Sequence, residues 1–360
     1  MSARAVIISG GGTGGHIYPA LAVGRKLKQK DPSLELTFVG TGRDVERKIM
    51  EKSGVNFLPL RIEGLKGRGL KSLRSLFLLP SSFFRSAAIL KRLRPRLVIG
   101  AGGYGSGPIV LLASLRKTPT LIMEQNVHPG LTNRLLARWV RKAVVSFETT
   151  LPAFRGKGVL LGNPVRDEFY SLKPKGREGK LSLLVFGGSQ GSRFLNQAVT
   201  STLPLLAGEK NRLVIFHQTG SSDEEWVRKR YLENGFGEAT VAPYFYDMAA
   251  CFGKADLVIS RAGATTIAEL IAGRKAAILV PFGGAAEDHQ TRNARELERI
   301  GAADIILESE FGPEFLARRV RFFLQHGEEI TAREKKLAAL DTGRPAERIA
   351  GLCLELMEGR

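Results

Sequence analysis

Short apolar runs alternate with longer amphipathic stretches along the whole chain. In the first half the runs predict strands over Ala5–Ser9, Glu35–Val39, Leu97–Gly100, Thr120–Glu124, Ala143–Ser146 and Gly158–Leu161. In the second half they predict strands over Ser182–Phe186, Leu213–Gln218, Thr240–Ala242, Leu257–Ser260, Ala277–Val280 and Ala303–Leu307. Most runs are continuous rather than alternating, as parallel strands covered on both faces are. Helical patterns separate them, so the expected class is α/β, with two doubly wound Rossmann-like domains. The join is expected within Asn163–Gly179, where the polar run SLKPKGREGK carries Pro and Gly. A last helix over about Ala346–Met357 follows Pro345 and has no strand after it. In two-domain folds of this type such a helix often returns to the first domain. The expected division is therefore 1–165 with 341–360, and 166–340.

Two of the strand-to-helix turns are rich in glycine. RAVIISGGGTGGHIYPALAVGRKL (Arg4–Leu27) places Gly10, Gly11, Gly12, Gly14 and Gly15 before a helix, and KLSLLVFGGSQGSRFLNQAV (Lys180–Val199) repeats the arrangement. Such turns gather free backbone N–H groups at a helix N-terminus, where they hold a phosphate. Gly10, Gly12 and Gly15 have the dinucleotide spacing. The second strand, however, ends at Gly40 where that fingerprint requires an acid for the ribose, which argues against NAD. The first loop also carries Thr13 and His16. His16 fits either a general base or a residue that caps the following helix.

Charge divides the chain more sharply than composition does. Residues 1–165 hold 27 Lys and Arg against 8 Asp and Glu, whereas residues 166–360 hold 27 of each. The whole net charge of +19 thus lies in the first half, which predicts a polyanionic surface as its partner. Ten of these cations fall within Arg61–Arg96 beside a single acid, Glu63, interleaved with leucines, Phe77, Phe83 and Phe84. Leu73, Leu76, Phe77 and Pro80 share one helical face. A basic amphipathic stretch of this kind predicts binding to an anionic membrane surface; its alternative is a core-facing helix with a solvated basic side. Nucleic acid is not expected, because the aromatic residues do not form a spaced stacking platform. The longest apolar run, Pro108–Leu115, falls short of the ~18–20 residues that cross a bilayer, and no secretory leader is expected. The two cysteines, Cys251 and Cys353, lie in apolar surroundings and are expected to be reduced thiols.

Further motifs crowd the predicted carboxyl ends of strands, where open α/β sheets bind ligands. GAGGYGSGP (Gly100–Pro108) is another glycine turn. MEQNVHPGLTNRLLA (Met123–Ala137) ends a strand with Glu124, Gln125 and Asn126, which suit hydroxyl recognition. GNPVRDEF places Arg166 at the join. GGSQG adds Ser189, read either as an anion ligand or as a helix cap. SRAGATTIAELIAGRKAAILVPF (Ser260–Phe282) opens a helix with Thr265 and Thr266 and brings Glu269 one turn later. That spacing suits a diphosphate followed by two ribose hydroxyls. GGAAEDHQTRNA then offers Asp288, His289 and Gln290. No Asp-x-Asp pair occurs, so stabilisation of a leaving diphosphate by helix N-termini is expected in place of a metal ion.

In this order, GGGTGGHIYPALAV, GGYGSGP, EQNVHPGLTN, GNPVR, GGSQG, RAGATTIAEL and DHQTRNA resemble the MurG family of glycosyltransferases over about Ile8–Ala294. The resemblance implies a GT-B fold, with two Rossmann-like domains separated by a cleft. It implies inverting transfer of N-acetylglucosamine from UDP-GlcNAc to the C4 hydroxyl of the N-acetylmuramyl sugar of lipid I, an undecaprenyl-diphosphate-linked muramyl peptide. It also implies attachment to the cytoplasmic face of the inner membrane and no metal or other cofactor. By matching motif, Thr13, Gly14, Gly15 and Asn126 would line the sugar side of the cleft. Arg166, Ser189, Phe245, Ala264, Thr265, Thr266, Glu269 and Gln290 would surround UDP-GlcNAc, with the backbone of Phe245 on the uracil. His16 matches the general base. A glycolipid transferase with another acceptor, a UDP-GlcNAc 2-epimerase and a non-catalytic nucleotide-binding regulator are the competing functions.

Overall fold

The computed structural model describes residues 4–11, 14–60, 70–173, 179–285 and 288–359. In the first part of the chain the elements are β1 (Arg4–Ser9), α1 (Gly14–Lys30), β2 (Leu34–Gly40), α2 (Asp44–Ser53), β3 (Asn56–Pro59), α3 (Leu70–Leu93), β4 (Leu97–Gly100), α4 (Gly107–Leu115), β5 (Thr120–Glu124), α5 (Leu131–Leu136), β6 (Lys142–Val145) and β7 (Gly158–Leu160). There follow α6 (Asp167–Tyr170), β8 (Leu181–Phe186), α7 (Arg193–Thr202), β9 (Leu213–Gln218), α8 (Glu224–Glu233), β10 (Thr240–Ala242), α9 (Met248–Lys254) and β11 (Leu257–Ser260). The remainder comprises α10 (Ala264–Gly273), β12 (Ala276–Leu279), α11 (His289–Arg299), β13 (Ala303–Ile305), α12 (Pro313–Gln325), α13 (Gly327–Leu340) and α14 (Pro345–Met357).

These elements divide into two compact units, residues 1–165 with 344–360, and residues 166–343. The first holds a seven-stranded sheet in the order β3-β2-β1-β4-β5-β6-β7, and the second a six-stranded sheet in the order β10-β9-β8-β11-β12-β13. All pairs are parallel. The apolar runs explain this directly. In β1, Val6 and Ile8 enter one core layer while Ile7 enters the layer on the opposite face. A strand apolar on both faces needs helices above and below, and right-handed crossovers supply them.

Each sheet reverses its winding once. In the first unit the reversal lies between β1 and β4, where Ser9 pairs with Gly100. In the second it lies between β8 and β11, where Phe186 pairs with Ser260. Loops leaving neighbouring strands at such a point part to opposite faces and open a crevice beyond the strand ends. Both glycine-rich turns leave a strand at one of these points.

The edge strand β3 was not expected from the sequence. Its four residues, NFLP, are only half buried and end in proline, so they carry little of the apolar signal of an inner strand. The helix α14 packs on α1, and its Ile349, Ala350, Cys353, Leu356 and Met357 enter the same core layer as Val6 and Ile8. Among the described residues, no helix is long and apolar enough to cross a membrane.

Candidate functional site

In the first unit the chain leaves β1 through Gly10 and Gly11 and enters α1 at Gly14, so Gly15 and His16 sit in the helix's first turn. Thr13 lies outside the described residues. The turn after β4 lies directly against this loop. Gly102 and Gly103 adopt φ of 99° and 73°, a region that disfavours any side chain. A Cβ on Gly102 would stand 2.9 Å from His16 Nδ1, and one on Gly103 would stand 2.5 Å from the carbonyl oxygen of Gly11. The two glycine turns therefore meet backbone to backbone, with the imidazole of His16 fitted beside Gly102.

The loop after β5 completes this cluster, and two of its residues, Glu124 and Gln125, have tasks other than the hydroxyl recognition the sequence suggested. Glu124 is buried and accepts four hydrogen bonds, from the Asn126 amide (3.0 Å) and side chain (3.3 Å), the Gly130 amide (3.0 Å) and the Asn133 side chain (2.8 Å). Its carboxylate shapes the loop and is not presented to a sugar hydroxyl. Gln125 is buried and turned towards His16, with Oε1 3.0 Å from Nδ1. Asn126 stands at the start of the loop so fixed. The carboxylate nearest the first glycine turn belongs to Glu46, fully buried and accepting from the Thr41 hydroxyl (2.7 Å) and the Gly42 amide (2.9 Å). It holds the turn after β2 and does not replace the ribose-binding acid missing at Gly40.

In the second unit the corresponding point is organised by Arg261, which follows β11 and is almost fully buried. Its guanidinium donates to Ser192 Oγ (2.8 and 3.0 Å), to the Val280 and Pro281 carbonyls (3.0 and 3.2 Å), and to Glu308 at 2.5 Å. Glu308 in turn accepts from the Gly283 amide. One arginine thus ties together the loops that follow β8, β11 and β12. Ser192, not Ser189, caps α7 by accepting from the Leu195 amide. That corrects the cap reading of Ser189, which stands exposed on the GGSQG turn. Gln218, at the end of β9, donates to the Gly188 carbonyl (3.0 Å) and accepts from the Phe245 amide (2.8 Å). Phe245 therefore has its carbonyl, and not its N–H, available to a ligand.

The N-terminus of α10 lies beside this frame. Ala264, Thr265 and Thr266 form its first turn behind the cap position Gly263. The Thr265 hydroxyl is buried without a partner among the described residues, an expensive state for a polar group unless a ligand supplies the bond. Glu269 lies one turn further along α10. The residue is half-buried; burial pushes its carboxyl up to about 7, against the opposing influence of the Arg166 guanidinium. Arg166 lies exposed at the start of α6, over the Phe169 ring at 5.2 Å. Gln290, on α11, accepts with Oε1 from the Ala262 amide (3.2 Å) and the Phe282 amide (3.0 Å). Its carbonyl end is fixed, which leaves the NH2 end to donate outward.

The second unit thus brings Ser189, Phe245, Ala264, Thr265, Thr266 and Gln290 to the carboxyl ends of β8, β10, β11 and β12, with Glu269 and Arg166 alongside. Arg261 and Gln218 escaped the sequence reading. A charged residue between a fully buried strand and the buried Ala262 is the feature that marks Arg261.

The basic stretch over Arg61–Arg96 is described in part. Residues 61–69 and the side chains of 70–79, including Leu73, Leu76 and Phe77, lie outside the described residues. In the C-terminal half of α3, Phe84, Arg85, Lys91 and Arg92 are exposed. α4 packs against both α3 and α5. The surface continues over them with exposed Leu115, Leu131, Leu135 and Trp139, interspersed with Arg134, Arg138 and Arg141. The spacing i, i+4, i+8 of Leu131, Leu135 and Trp139 was its signal.

Family models agree with this geometry. The glycosyltransferase family 28 N-terminal domain matches residues 6–145, and the family 28 C-terminal domain matches residues 182–348. The UDP-N-acetylglucosamine–N-acetylmuramyl-(pentapeptide) pyrophosphoryl-undecaprenol N-acetylglucosamine transferase of Myxococcus xanthus is 43% identical over 98% of this chain and 93% of its own length. The protein of the same name from Syntrophus aciditrophicus is 43% identical over 98% of both chains. The crystal structure of Acinetobacter baumannii MurG superposes with a TM-score of 0.83 at 29% identity, covering 98% of this chain and 99% of that one.

Proposed function

Because the chain belongs to the MurG transferases of glycosyltransferase family 28, with their GT-B fold, we propose that it transfers N-acetylglucosamine from UDP-GlcNAc to lipid I, forming lipid II for peptidoglycan synthesis. The start of α10 carries the donor half of this reading. A helix N-terminus bears roughly half a positive charge and several unpaired N–H groups, and the orphaned Thr265 hydroxyl stands among them. The diphosphate binds there, with Thr266, the Ala264 backbone and Ser189 of the GGSQG turn. Glu269, when ionised, accepts both ribose hydroxyls, and Arg166 keeps it within reach of ionisation. The Phe245 carbonyl accepts from the uracil, and the NH2 group of Gln290 donates to a sugar hydroxyl.

The first unit serves the acceptor. Thr13, Gly14, Gly15 and Asn126 serve the sugar side of the site, and His16 removes the proton of the muramyl C4 hydroxyl. As that oxygen bonds to the anomeric carbon, the bond to UDP breaks from the opposite side and the configuration inverts. The electron pair leaves with the diphosphate, whose growing charge meets α10 and the second glycine turn. Fixed donors of this kind are each worth about 10²–10³ in rate.

The lipid anchor of the acceptor requires the enzyme at a membrane. The surplus cations of residues 1–165 and the exposed apolar side chains of α3 to α5 fit peripheral attachment to the anionic cytoplasmic face of the inner membrane. Purified protein should release UDP from UDP-GlcNAc only when a lipid I analogue is added, with EDTA harmless. Turnover with another lipid acceptor but not lipid I, or conversion of UDP-GlcNAc with no acceptor, would overturn the assignment.

A further inference from the structure

We propose that Gln125 is a positioning residue that sets the tautomer of His16, keeping the ring proton on Nδ1 and leaving the Nε2 lone pair to act as the base. The inference rests on His16 as the base proposed above and adds how the chain prepares it.

The argument runs outward from one backbone group. The Ala101 carbonyl, at the end of β4, can only accept. The Gln125 side chain lies 2.9 Å from it, so the end of the amide facing Ala101 must be Nε2, which donates. The other end, Oε1, then faces His16 Nδ1 at 3.0 Å. An amide oxygen only accepts, so Nδ1 must carry a hydrogen. In a neutral imidazole the second nitrogen is then bare. Among the described residues Nε2 has no partner, so none of them claims its lone pair.

Turning the amide over would suit a bare Nδ1 but not the other end. It would set Oε1 against the Ala101 carbonyl, where both atoms are acceptors and both residues are buried. The surroundings also prevent escape by movement. Glu124 pins the next loop through Asn126, Gly130 and Asn133. Ser146 donates to the Glu124 carbonyl at 3.0 Å, and Thr150 to that of Val127 at 2.9 Å. Gly102 also limits the imidazole near the same nitrogen, since even a Cβ there would come within 2.9 Å of Nδ1. Gln125 is thus fixed by secondary structure, and His16 is fixed by Gln125.

The arrangement also suits the step itself. When Nε2 takes the C4 hydroxyl proton, the imidazolium keeps its Nδ1–H bond to Oε1 unchanged. No group near the ring has to rotate as the charge appears, and the proton later leaves Nε2 to solvent. The opposite tautomer would set a bare Nδ1 against Oε1 and point a proton, in place of a lone pair, at the acceptor.

The test is ¹⁵N NMR of the full chain labelled at histidine, at a pH where His16 is neutral. The protein has five histidines, so His16→Asn identifies the signal. The expected spectrum has a protonated Nδ1 and a bare Nε2; a His16 signal with the proton on Nε2 overturns the inference with no variant needed. Gln125→Leu should shift His16 towards the Nε2–H form and lower kcat by about 10²-fold, with KM for UDP-GlcNAc little changed. Gln125→Glu keeps an acceptor at Nδ1 but loses the donor to the Ala101 carbonyl, so it should recover the Nδ1–H form and only part of the rate. It should also move the acidic limb of the kcat profile to higher pH, because a carboxylate favours the imidazolium. If both variants keep the wild-type tautomer and pH profile while losing rate, Gln125 is only structural and the inference fails. An inactive His16→Asn beside a fully active Gln125→Leu sinks this inference alone, whereas an active His16→Asn removes the base and the inference together.

Discussion

Replacing Glu269 with glutamine separates two quantities that the site sets in opposition, stability and donor affinity. Burial raises the carboxyl from 4.5 to about 7, with Arg166 restraining the rise. A group that holds its proton more tightly folded than unfolded weakens the fold once it ionises. The penalty is therefore absent below pH 4.5, grows through the interval up to about pH 7, and is then constant. At about 1.4 kcal/mol per pH unit, it reaches ~3 kcal/mol, of which ~2.5 falls between pH 5 and pH 8. Glutamine has nearly the same shape and does not titrate. Glu269→Gln should thus gain on wild type by that amount across this range, or roughly 5–10 °C in melting temperature for a unit of this size. Affinity should move the other way. Ribose hydroxyls donate to the ionised carboxylate, so wild type should bind UDP-GlcNAc about tenfold more weakly at pH 6 than at pH 8. The variant should be weak and nearly flat. Thermal melts at pH 5, 6, 7 and 8, paired with calorimetric titration of UDP-GlcNAc, read both. Parallel melting profiles for the two proteins, or full affinity in the variant at pH 8, would refute the placement of a half-buried, ribose-binding carboxyl on α10.

Two further outcomes follow from the same geometry. Arg261→Met strands Glu308, Ser192 and two strand-end carbonyls in a buried frame, so urea unfolding should show a loss of about 3–5 kcal/mol and the KM for UDP-GlcNAc should rise; stability within about 1 kcal/mol of wild type would contradict the role given to that arginine. Charge reversal at Arg85, Lys91 and Arg92 should weaken co-sedimentation with phosphatidylglycerol vesicles by roughly 1 kcal/mol for each cation lost, more at low salt; unchanged binding would return α3 to the reading of a solvated basic face.

The strands were legible because burial on both faces leaves an unbroken apolar run. Leu213–Gln218 and Leu257–Ser260 coincide with the sequence reading residue for residue. β3 was not, since an edge strand that is half exposed and closed by Pro59 lacks that signal. The glycine turns were equally plain, for backbone crowding leaves no room for anything larger. What remained hidden is pairing at a distance. Arg261 meets Ser192 across 69 residues, Gln125 meets His16 across 109, and Gln218 meets Gly188 across 30. Periodicity reports the geometry of neighbours and is silent on such partners. The same limit misplaced the α7 cap. Gly191, at φ 76°, turns the chain once more before the helix begins, so Ser192 takes the task read for Ser189.

The packing of α14 on α1 has a consequence for biosynthesis. Ile349, Ala350, Cys353, Leu356 and Met357 complete a core layer whose other members precede residue 165, yet the ribosome emits them after the entire second unit. At 5–20 residues per second, the nascent first unit spends about 10–35 s outside the exit tunnel with a greasy strip of α1 uncovered. During that interval it is a client for holdase chaperones. A premature stop codon before Pro345 would make the exposure permanent, leaving a polypeptide with every motif described above and a first unit prone to aggregate.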